Sequence, residues 1–138
     1  MSSLIQLGAA LAMVALCALV HAAGLSGISR LFHLEDAELK ARKTAGTLGL
    51  VVVIALALFV LHLAEIGLFA ALYAGVGAAP DFADALYYSA SAYTTAGNGI
   101  EDLGKGWRLL GATEALAGFL LIGWSVAYLV ARLRRLRE

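Results

Sequence analysis

The sequence from Asp84 to Ile100, DALYYSASAYTTAGNGI, decides the fold because it lies between two long apolar segments. Its first part has the length of a short helix, and it runs directly into the glycine-containing string from Thr94 to Gly99. Backbone that is not helical is tolerated at membrane depth only where protein or a water-filled cavity surrounds it. The pattern therefore predicts a ring of backbone carbonyl oxygens that replaces the hydration shell of an ion.

Three apolar segments are each long enough to cross a bilayer, which takes about 20 residues. They are Leu4 to Ala23, Thr47 to about Gly75, and Leu109 to Ala131. Apolar residues make up 62% of the chain and charged residues 14%, a composition that indicates an integral membrane protein. The formal net charge is zero, so no nucleic-acid partner is expected.

We expect an all-α membrane protein with three transmembrane helices, a re-entrant pore helix and a loop that binds the ion. Two units are predicted: residues 1–46, an N-terminal transmembrane helix with a cytoplasmic linker, and residues 47–138, the pore module. The first apolar segment ends in small residues, as a secretory signal does, but it lacks the basic residues that precede such a signal. We interpret it as a true helix.

Apolar residues at three-and-four spacing in residues 24–46, among them Ile28, Leu31 and Leu39, are typical of a short amphipathic helix at the inner membrane surface. Such a helix is either a collar that transmits force to the second span or a solvated linker. Basic residues follow the first and third spans, which by the positive-inside rule places the C-terminus in the cytoplasm and the N-terminus outside. We interpret the arginines from Arg132 onward as an interfacial anchor that extends toward the headgroups.

The pore helix is predicted from about Phe82 to Tyr93. Pro80 suits the position just ahead of a helix, and Asp81 is a favourable N-cap with Asp84 in the first turn. The negative end of the helix dipole then points toward the membrane centre, where it favours a cation. Acidic residues at the outer mouth would concentrate cations there; they are Asp81, Asp84, Glu101 and Asp102.

Residues 62–129 resemble the pore module of the potassium-channel family, in particular its small bacterial members with two pore-forming helices. The matching pieces, in order, are HLAEI (62–66), DALYYS (84–89), YTTAGNG (93–99), WRLL (107–110) and EALAGFLLIGWS (114–125). The family's filter reads TVGYG, and this chain departs from it at Ala96 and Asn98. The acidic residue that usually follows the second glycine is displaced by Ile100.

The resemblance implies a homotetramer, because one chain offers carbonyl oxygens on one side of the ion only. It also implies a filter formed by Thr94, Thr95, Ala96, Gly97, Asn98 and Gly99, with a monovalent cation bound at Thr95, Ala96, Gly97 and Asn98. The family places an aromatic residue where Asn98 stands, and that residue packs behind the filter. Its loss predicts relaxed discrimination between K⁺ and Na⁺, unless Tyr87, Tyr88 and Tyr93 supply the missing packing.

Two carboxylates within apolar helices, Glu65 and Glu114, are functional candidates by default. Their depth matches that of the pore helix, so hydroxyls of its serines and tyrosines, Tyr93 included, could bond to them and support the filter. His62 is three residues before Glu65 on the same helix face and could share its proton. The support is either sensitive to pH or a static network. The His–Glu spacing resembles a metal site, but two ligands are too few for one.

In the third span, Gly118 matches the family's hinge glycine, although a packing glycine is an equally open reading. The residues that would then line the inner cavity are Phe119, Ile122, Val126 and Val130. This lining is apolar, so the pore could close by dewetting.

The function predicted from the sequence is passive conduction of monovalent cations through a potassium-channel-like pore in the inner membrane. The permeant ions would be K⁺ and/or Na⁺, and the partners membrane lipid and further copies of the chain. We expect no cofactor and no enzymatic activity, since no nucleophile–base pair stands out. The alternative is a non-conducting or regulatory subunit that uses the pore fold for assembly, which Ala96 and Asn98 would favour.

Overall fold

The structure is a computed structural model that describes residues 3–33, 44–99, 103 and 106–135. Every regular element in these ranges is a helix: α1 (Ser3–His33), α2 (Thr44–Gly75), α3 (Phe82–Tyr93) and α4 (Arg108–Arg135). The predicted all-α fold is confirmed, and α3 has the bounds predicted for the pore helix. The four helices correspond to the three apolar segments and the short stretch ahead of the glycines.

Three of the helices are long and apolar enough to cross a membrane, with apolar spans of 28 residues in α1, 28 in α2 and 27 in α4. At 1.5 Å per residue each span is about 40 Å long, which exceeds the hydrocarbon thickness of about 30 Å and allows for tilt. α3 has 12 residues and reaches only about 18 Å. It therefore cannot cross, and it packs between α2 and α4.

The core of the subunit surrounds α3. Large side chains of α2 and α4 are fully buried there, including Phe69, Tyr73 and Leu110, together with Tyr93 at the end of α3 itself. A second cluster joins α1 to α2 and consists of Leu25, Leu50, Ile54 and Leu58, with Tyr128 and Leu129 of α4 packed against it. α1 thus packs on the other long helices of its own chain.

The first helix is longer than predicted, because α1 continues past Ala23 to His33. The separate surface helix predicted to begin at residue 24 is therefore wrong for residues 24–33, and residues 34–43 lie outside the described part of the chain. No proline interrupts this stretch, and Gly24 permits a close contact with α2. A Cβ atom at Gly24 would lie 2.7 Å from Cδ2 of Leu61. The absence of a side chain at Gly24 therefore leaves room for Leu61 of α2.

The described end of α4 also differs from the expectation. Arg132, predicted as an anchor toward the headgroups, is only 8% exposed. Its Nη2 donates to the carbonyl oxygen of Ser29 at 3.1 Å, and its Nε donates to the Tyr128 hydroxyl at 3.3 Å. That hydroxyl lies 3.0 Å from Oγ of Ser29. The guanidinium therefore joins the ends of α1 and α4, since its donors find partners within the protein.

Candidate functional site

α3 is positioned by the cap at its first turn. Asp81 has extended backbone, and its Oδ1 accepts a hydrogen bond from the Asp84 amide at 2.9 Å. This is the N-cap predicted from the sequence, and it satisfies a backbone donor that the first turn of a helix leaves unpaired. Asp81 and Asp84 are exposed, whereas Glu101 and Asp102 lie outside the described residues. At the other end, Thr94 terminates the helix with its amide bonded to the Ala90 carbonyl at 3.1 Å.

In the backbone that follows α3, residues with a positive φ angle alternate with residues without one. Thr95, Gly97 and Gly99 have φ angles of 60°, 74° and 77°, whereas Ala96 and Asn98 between them do not have positive φ. Such alternation turns successive N–H groups to one side and the carbonyl groups to the other. The two glycines adopt this conformation without steric cost, as the sequence predicted. For a β-branched residue such as Thr95 it is unusual, so the surroundings must hold it.

Hydrogen bonds to α3 hold this segment and show which side its N–H groups face. The Thr95 amide donates to the Ala92 carbonyl at 2.9 Å, and the Gly97 amide donates to the Ser91 carbonyl at 3.2 Å. The Thr94 hydroxyl donates to the Ala90 carbonyl at 2.7 Å. Residues 94–98 are exposed on the single subunit. With the amides of Thr95 and Gly97 bonded back to α3, the segment is free to present carbonyl oxygens on its open side.

Two tyrosines of α3 pack behind the outer glycine. A Cβ atom at Gly99 would lie 2.8 Å from Cε1 of Tyr88 and 3.2 Å from Cε1 of Tyr87. Tyr88 is buried, and Asn98 is exposed. Of the three tyrosines considered from the sequence, Tyr87 and Tyr88 thus lie against Gly99, and their role as a substitute for the family's aromatic residue stays a prediction.

Glu114 of α4 is fully buried and bonded by hydroxyl groups. The Tyr73 hydroxyl of α2 donates to its Oε2 at 2.6 Å. Oγ of Ser89, on α3, lies 2.5 Å from its Oε1 and 2.7 Å from the Ile66 carbonyl oxygen. A buried carboxylate is tolerated only when hydrogen bonds replace its hydration. The network therefore joins α2, α3 and α4, and it includes the pore-helix serine that the sequence suggested.

Glu65 of α2 is also fully buried, and it gathers partners from three helices. The Tyr93 hydroxyl of α3 donates to its Oε2. Nδ1 of His62 lies 3.1 Å from the same oxygen and 2.8 Å from the Tyr93 hydroxyl. Nδ1 of His21, from α1, lies 2.8 Å from Oε1. Since Tyr93 is the last residue of α3, this network supports the helix immediately before the glycine-containing segment.

Gly118 lies against α3, and this determines its position relative to the predicted cavity. A Cβ atom there would collide with the carbonyl oxygen of Tyr93 and lie 2.8 Å from Cγ of its ring. Gly118 is buried against Tyr93, so it does not lie on the open face of α4. α4 is a continuous helix through this point. This contact fits the alternative interpretation, in which Gly118 is a packing glycine. A hinge role stays a prediction.

The predicted cavity residues lie on an open face of α4. Phe119 is 66% exposed, Val126 56% and Val130 44%, and Ile122 is partly buried. A concavity of about 490 Å³ is lined by Thr94, Thr95, Phe119, Leu120, Ile122 and Gly123. The structure therefore brings the threonines of the glycine-containing segment and the apolar face of α4 to one open space.

Sequence reasoning missed three residues that the networks use: His21, Tyr73 and Ser125. Oγ of Ser125 lies 3.3 Å from Nε2 of His21, and both residues are buried. His21 carried a usable signal, because an ionisable residue within an apolar span is a functional candidate by default. Tyr73 and Ser125 carried no comparable signal, since tyrosine and serine are ordinary residues in such helices.

Comparison with known families agrees with this geometry. A family model described as an ion channel matches residues 48–135, which contain α3, both carboxylates and the whole glycine-containing segment. No curated protein and no solved structure gives a significant match. The matched range covers well over half of the chain, and it contains two of the three helices that can cross a membrane. The chain is a multi-pass membrane protein that belongs to the ion channel family.

Proposed function

We propose that four copies of this chain form a pore that conducts monovalent cations passively, with the segment Thr94 to Gly99 as its filter. The observation that carries the proposal is the alternation of left-handed backbone at Thr95, Gly97 and Gly99. Neutral carbonyl oxygens aligned in this way can replace the water around a desolvated cation. The bound cations would lie at the carbonyls of residues 95–98.

The case for four subunits rests on the carbonyl oxygens of the segment, which would face one side only. The amides of Thr95 and Gly97 bond back to α3, so a single subunit would offer carbonyls on one side of an ion only. Cyclic symmetry closes such a half-site into a ring. The concavity below the filter is open in one subunit and is lined by Thr94, Thr95 and Phe119 among others. Neighbouring subunits would close it into a central cavity beneath the filter.

The preference for cations rests on the charges around the filter. α3 ends at Tyr93, so the negative end of its dipole lies next to Thr94, the first residue of the filter. Asp81 and Asp84 are exposed at the opposite end of the helix, where four copies of each would attract cations. Below the filter, one face of α4 is apolar and offers no ion-binding side chain, which favours gating by dewetting. This face consists of Phe119, Ile122, Val126 and Val130.

We propose that this pore conducts both K⁺ and Na⁺. Asparagine is smaller than an aromatic residue and polar, so Asn98 would not provide the packing behind the filter that an aromatic residue would give. Ala96 is smaller than the valine of the family pattern and packs less. Tyr87 and Tyr88 support the filter at Gly99, which is the outermost of its residues. The hydrogen bonds of Thr95 and Gly97 to α3 would hold these two residues in place. Residues 96 and 98 would be held less tightly, so the filter could change its width there.

We further propose that the protein lies in an inner membrane with its N-terminus outside and its C-terminus in the cytoplasm. Arg30 near the end of α1 and Arg132 and Arg134 near the end of α4 support this orientation. The acidic residues Asp81 and Asp84 then face the outside. Cations entering from that side would meet the mouth first.

The experiment that tests the proposal is a reversal-potential measurement on the purified protein in planar bilayers, with K⁺ on one side and Na⁺ on the other. A potential near zero is expected. A potential at the K⁺ equilibrium value would show that Tyr87 and Tyr88 suffice for selectivity. Tetramers that carry no current under any voltage would favour the alternative of an assembly subunit without a pore.

A pair of glycine variants separates conduction through the filter from leakage. Gly97→Ala places a side chain at a φ of 74°, a conformation that costs about 1–2 kcal/mol for a residue with a Cβ atom. We expect this variant to lose most of the current. Gly27→Ala is the control, because Gly27 lies on α1, outside the lining of the cavity, and no atom lies within 4 Å of the added Cβ. Equal currents in both variants would contradict conduction through residues 94–99.

A further inference from the structure

The Glu65 network contains a set of side chains that a transition metal prefers. His21, His62 and Glu65 each offer one ligand atom, and these atoms all lie within 4.8 Å of one another. Along the sequence, His62 and Glu65 alone are too few ligands for a metal. The fold adds a third, His21, which is 44 residues away in sequence. Two imidazoles and one carboxylate form the ligand set found in many zinc sites.

We propose that His21, His62 and Glu65 bind one Zn²⁺ ion, or a similar divalent transition metal, inside the helix bundle of each subunit. Nδ1 of His21 and Nδ1 of His62 lie 2.8 Å and 3.1 Å from the two oxygens of the same carboxylate. Tetrahedral zinc with ligand distances of about 2.0–2.1 Å separates ligand atoms by about 3.4 Å. The widest pair would have to close by at most about 1.4 Å to reach that spacing.

Both imidazoles already direct Nδ1 toward the carboxylate that would share the metal, and the Nε2 proton of His21 has a partner. Zinc binds the unprotonated nitrogen, so each neutral ring must carry its proton on Nε2. For His21 that proton would point to Oγ of Ser125, which lies 3.3 Å from Nε2. A metal-bound histidine commonly donates its other N–H to such an outer partner. Ser125 is therefore placed to orient His21 as a ligand.

A fourth position is available beside the three ligands. The Tyr93 hydroxyl donates to Glu65 Oε2 and lies 2.8 Å from Nδ1 of His62. It can serve as a fourth oxygen ligand or bond to a water molecule in that position. His62 is the least buried member, at 16% exposed against zero for Glu65 and His21, so its ring is the one with room to rotate and admit the ion.

The ligand chemistry also limits which ions fit. Mg²⁺ and Ca²⁺ require six or more oxygen ligands, and this cluster offers two carboxylate oxygens and a hydroxyl. Imidazole suits zinc, cobalt, nickel and copper. A dication would also be attracted by the carboxylate of Glu65, because charges interact strongly in the low dielectric of a bundle interior. A bound metal would join α1 to α2 next to the end of α3.

The test uses the full chain, purified without a histidine tag, stripped with a chelator and titrated with Co²⁺. We expect one Co²⁺ per chain, with the intense visible absorption of four-coordinate cobalt, and displacement of Co²⁺ by Zn²⁺. His21→Gln and His62→Gln should each weaken binding by more than the roughly 10–100-fold that follows loss of an outer partner. Unchanged affinity in His21→Gln would overturn the proposal.

Two controls keep the result independent of folding. His33→Gln removes the remaining histidine, at the end of α1, and should leave the affinity unchanged. Circular dichroism reports whether each variant keeps its helices. X-ray absorption of the unmodified protein with one equivalent of Zn²⁺ should show scattering from two imidazole rings. A zinc shell of oxygen atoms alone would overturn the proposal without reference to any variant.

Discussion

Two buried carboxylates bond to the same short helix, α3, and their surroundings differ. Each oxygen of Glu114 has one hydroxyl partner, from Tyr73 or Ser89. Oε2 of Glu65, by contrast, has both Tyr93 and His62 within reach. The Glu114 network lies entirely in the range that matches the ion channel family, whereas the Glu65 network also recruits His21 from α1, outside that range. The Glu114 network has one partner for each oxygen and stays within the matched range, whereas the Glu65 network has spare partners and attaches α1 as well.

The largest effect is expected from Glu114→Ala. This change leaves the Tyr73 and Ser89 hydroxyls without the carboxylate and opens a space between α2, α3 and α4. A buried polar group that loses its partner costs about 1–3 kcal/mol, so for the two hydroxyls we expect a loss of about 2–6 kcal/mol in the free energy of unfolding. Denaturant unfolding in detergent, followed by circular dichroism, measures it. Glu114→Gln keeps an acceptor and is the control; equal stability of the alanine variant and the unmodified protein would contradict the network.

The redundancy itself can be tested by removing one hydroxyl from each network. Tyr73→Phe leaves Oε2 of Glu114 without its donor, and we expect a loss of about 1.5–3 kcal/mol. Tyr93→Phe removes the same group from Glu65, but His62 lies 3.1 Å from the same oxygen and can replace it. Its loss should be about 1 kcal/mol or less. Unfolding curves of the two variants under identical conditions give the comparison, and equal losses would show that His62 does not compensate.

Gly118→Ala tests how closely α4 approaches the residue that carries the Glu65 network. The added methyl group would meet the carbonyl oxygen and ring of Tyr93, and backbone cannot move aside as a flexible side chain does. Overpacking of this kind costs about 1–3 kcal/mol, and the displaced Tyr93 should also lower the current. The readouts are unfolding and bilayer conductance. Gly27→Ala on α1, where nothing lies within 4 Å of the added Cβ, should leave both unchanged.

The smallest effect is expected from Ser125→Ala. Its Oγ lies 3.3 Å from Nε2 of His21, a long distance for a hydrogen bond. We expect the free energy of unfolding to fall by less than about 1 kcal/mol. Metal affinity should fall more noticeably, by roughly 10–100-fold, because an outer partner orients its ligand. Stability and Co²⁺ titration of the same variant separate the two roles.

Local signals in the sequence were enough to predict α3 and its surroundings. Asp81 caps the helix through a contact three residues away, and Gly97 and Gly99 have the positive φ that their lack of a side chain permits. Contacts between distant residues were not predictable in the same way. His21 reaches Glu65 only because α1 packs on α2, and Gly118 faces Tyr93 because of how α4 is rotated. Spacing along one helix does not determine either arrangement.

The order of the partners along the chain has a consequence for membrane insertion. A ribosome makes the N-terminal part first, and a carboxylate that enters the bilayer alone is costly. His21 and His62 are both synthesised before Glu65, and Tyr73 and Ser89 are both synthesised before Glu114. Each carboxylate therefore reaches the membrane when side chains that bond to it already exist in the nascent chain.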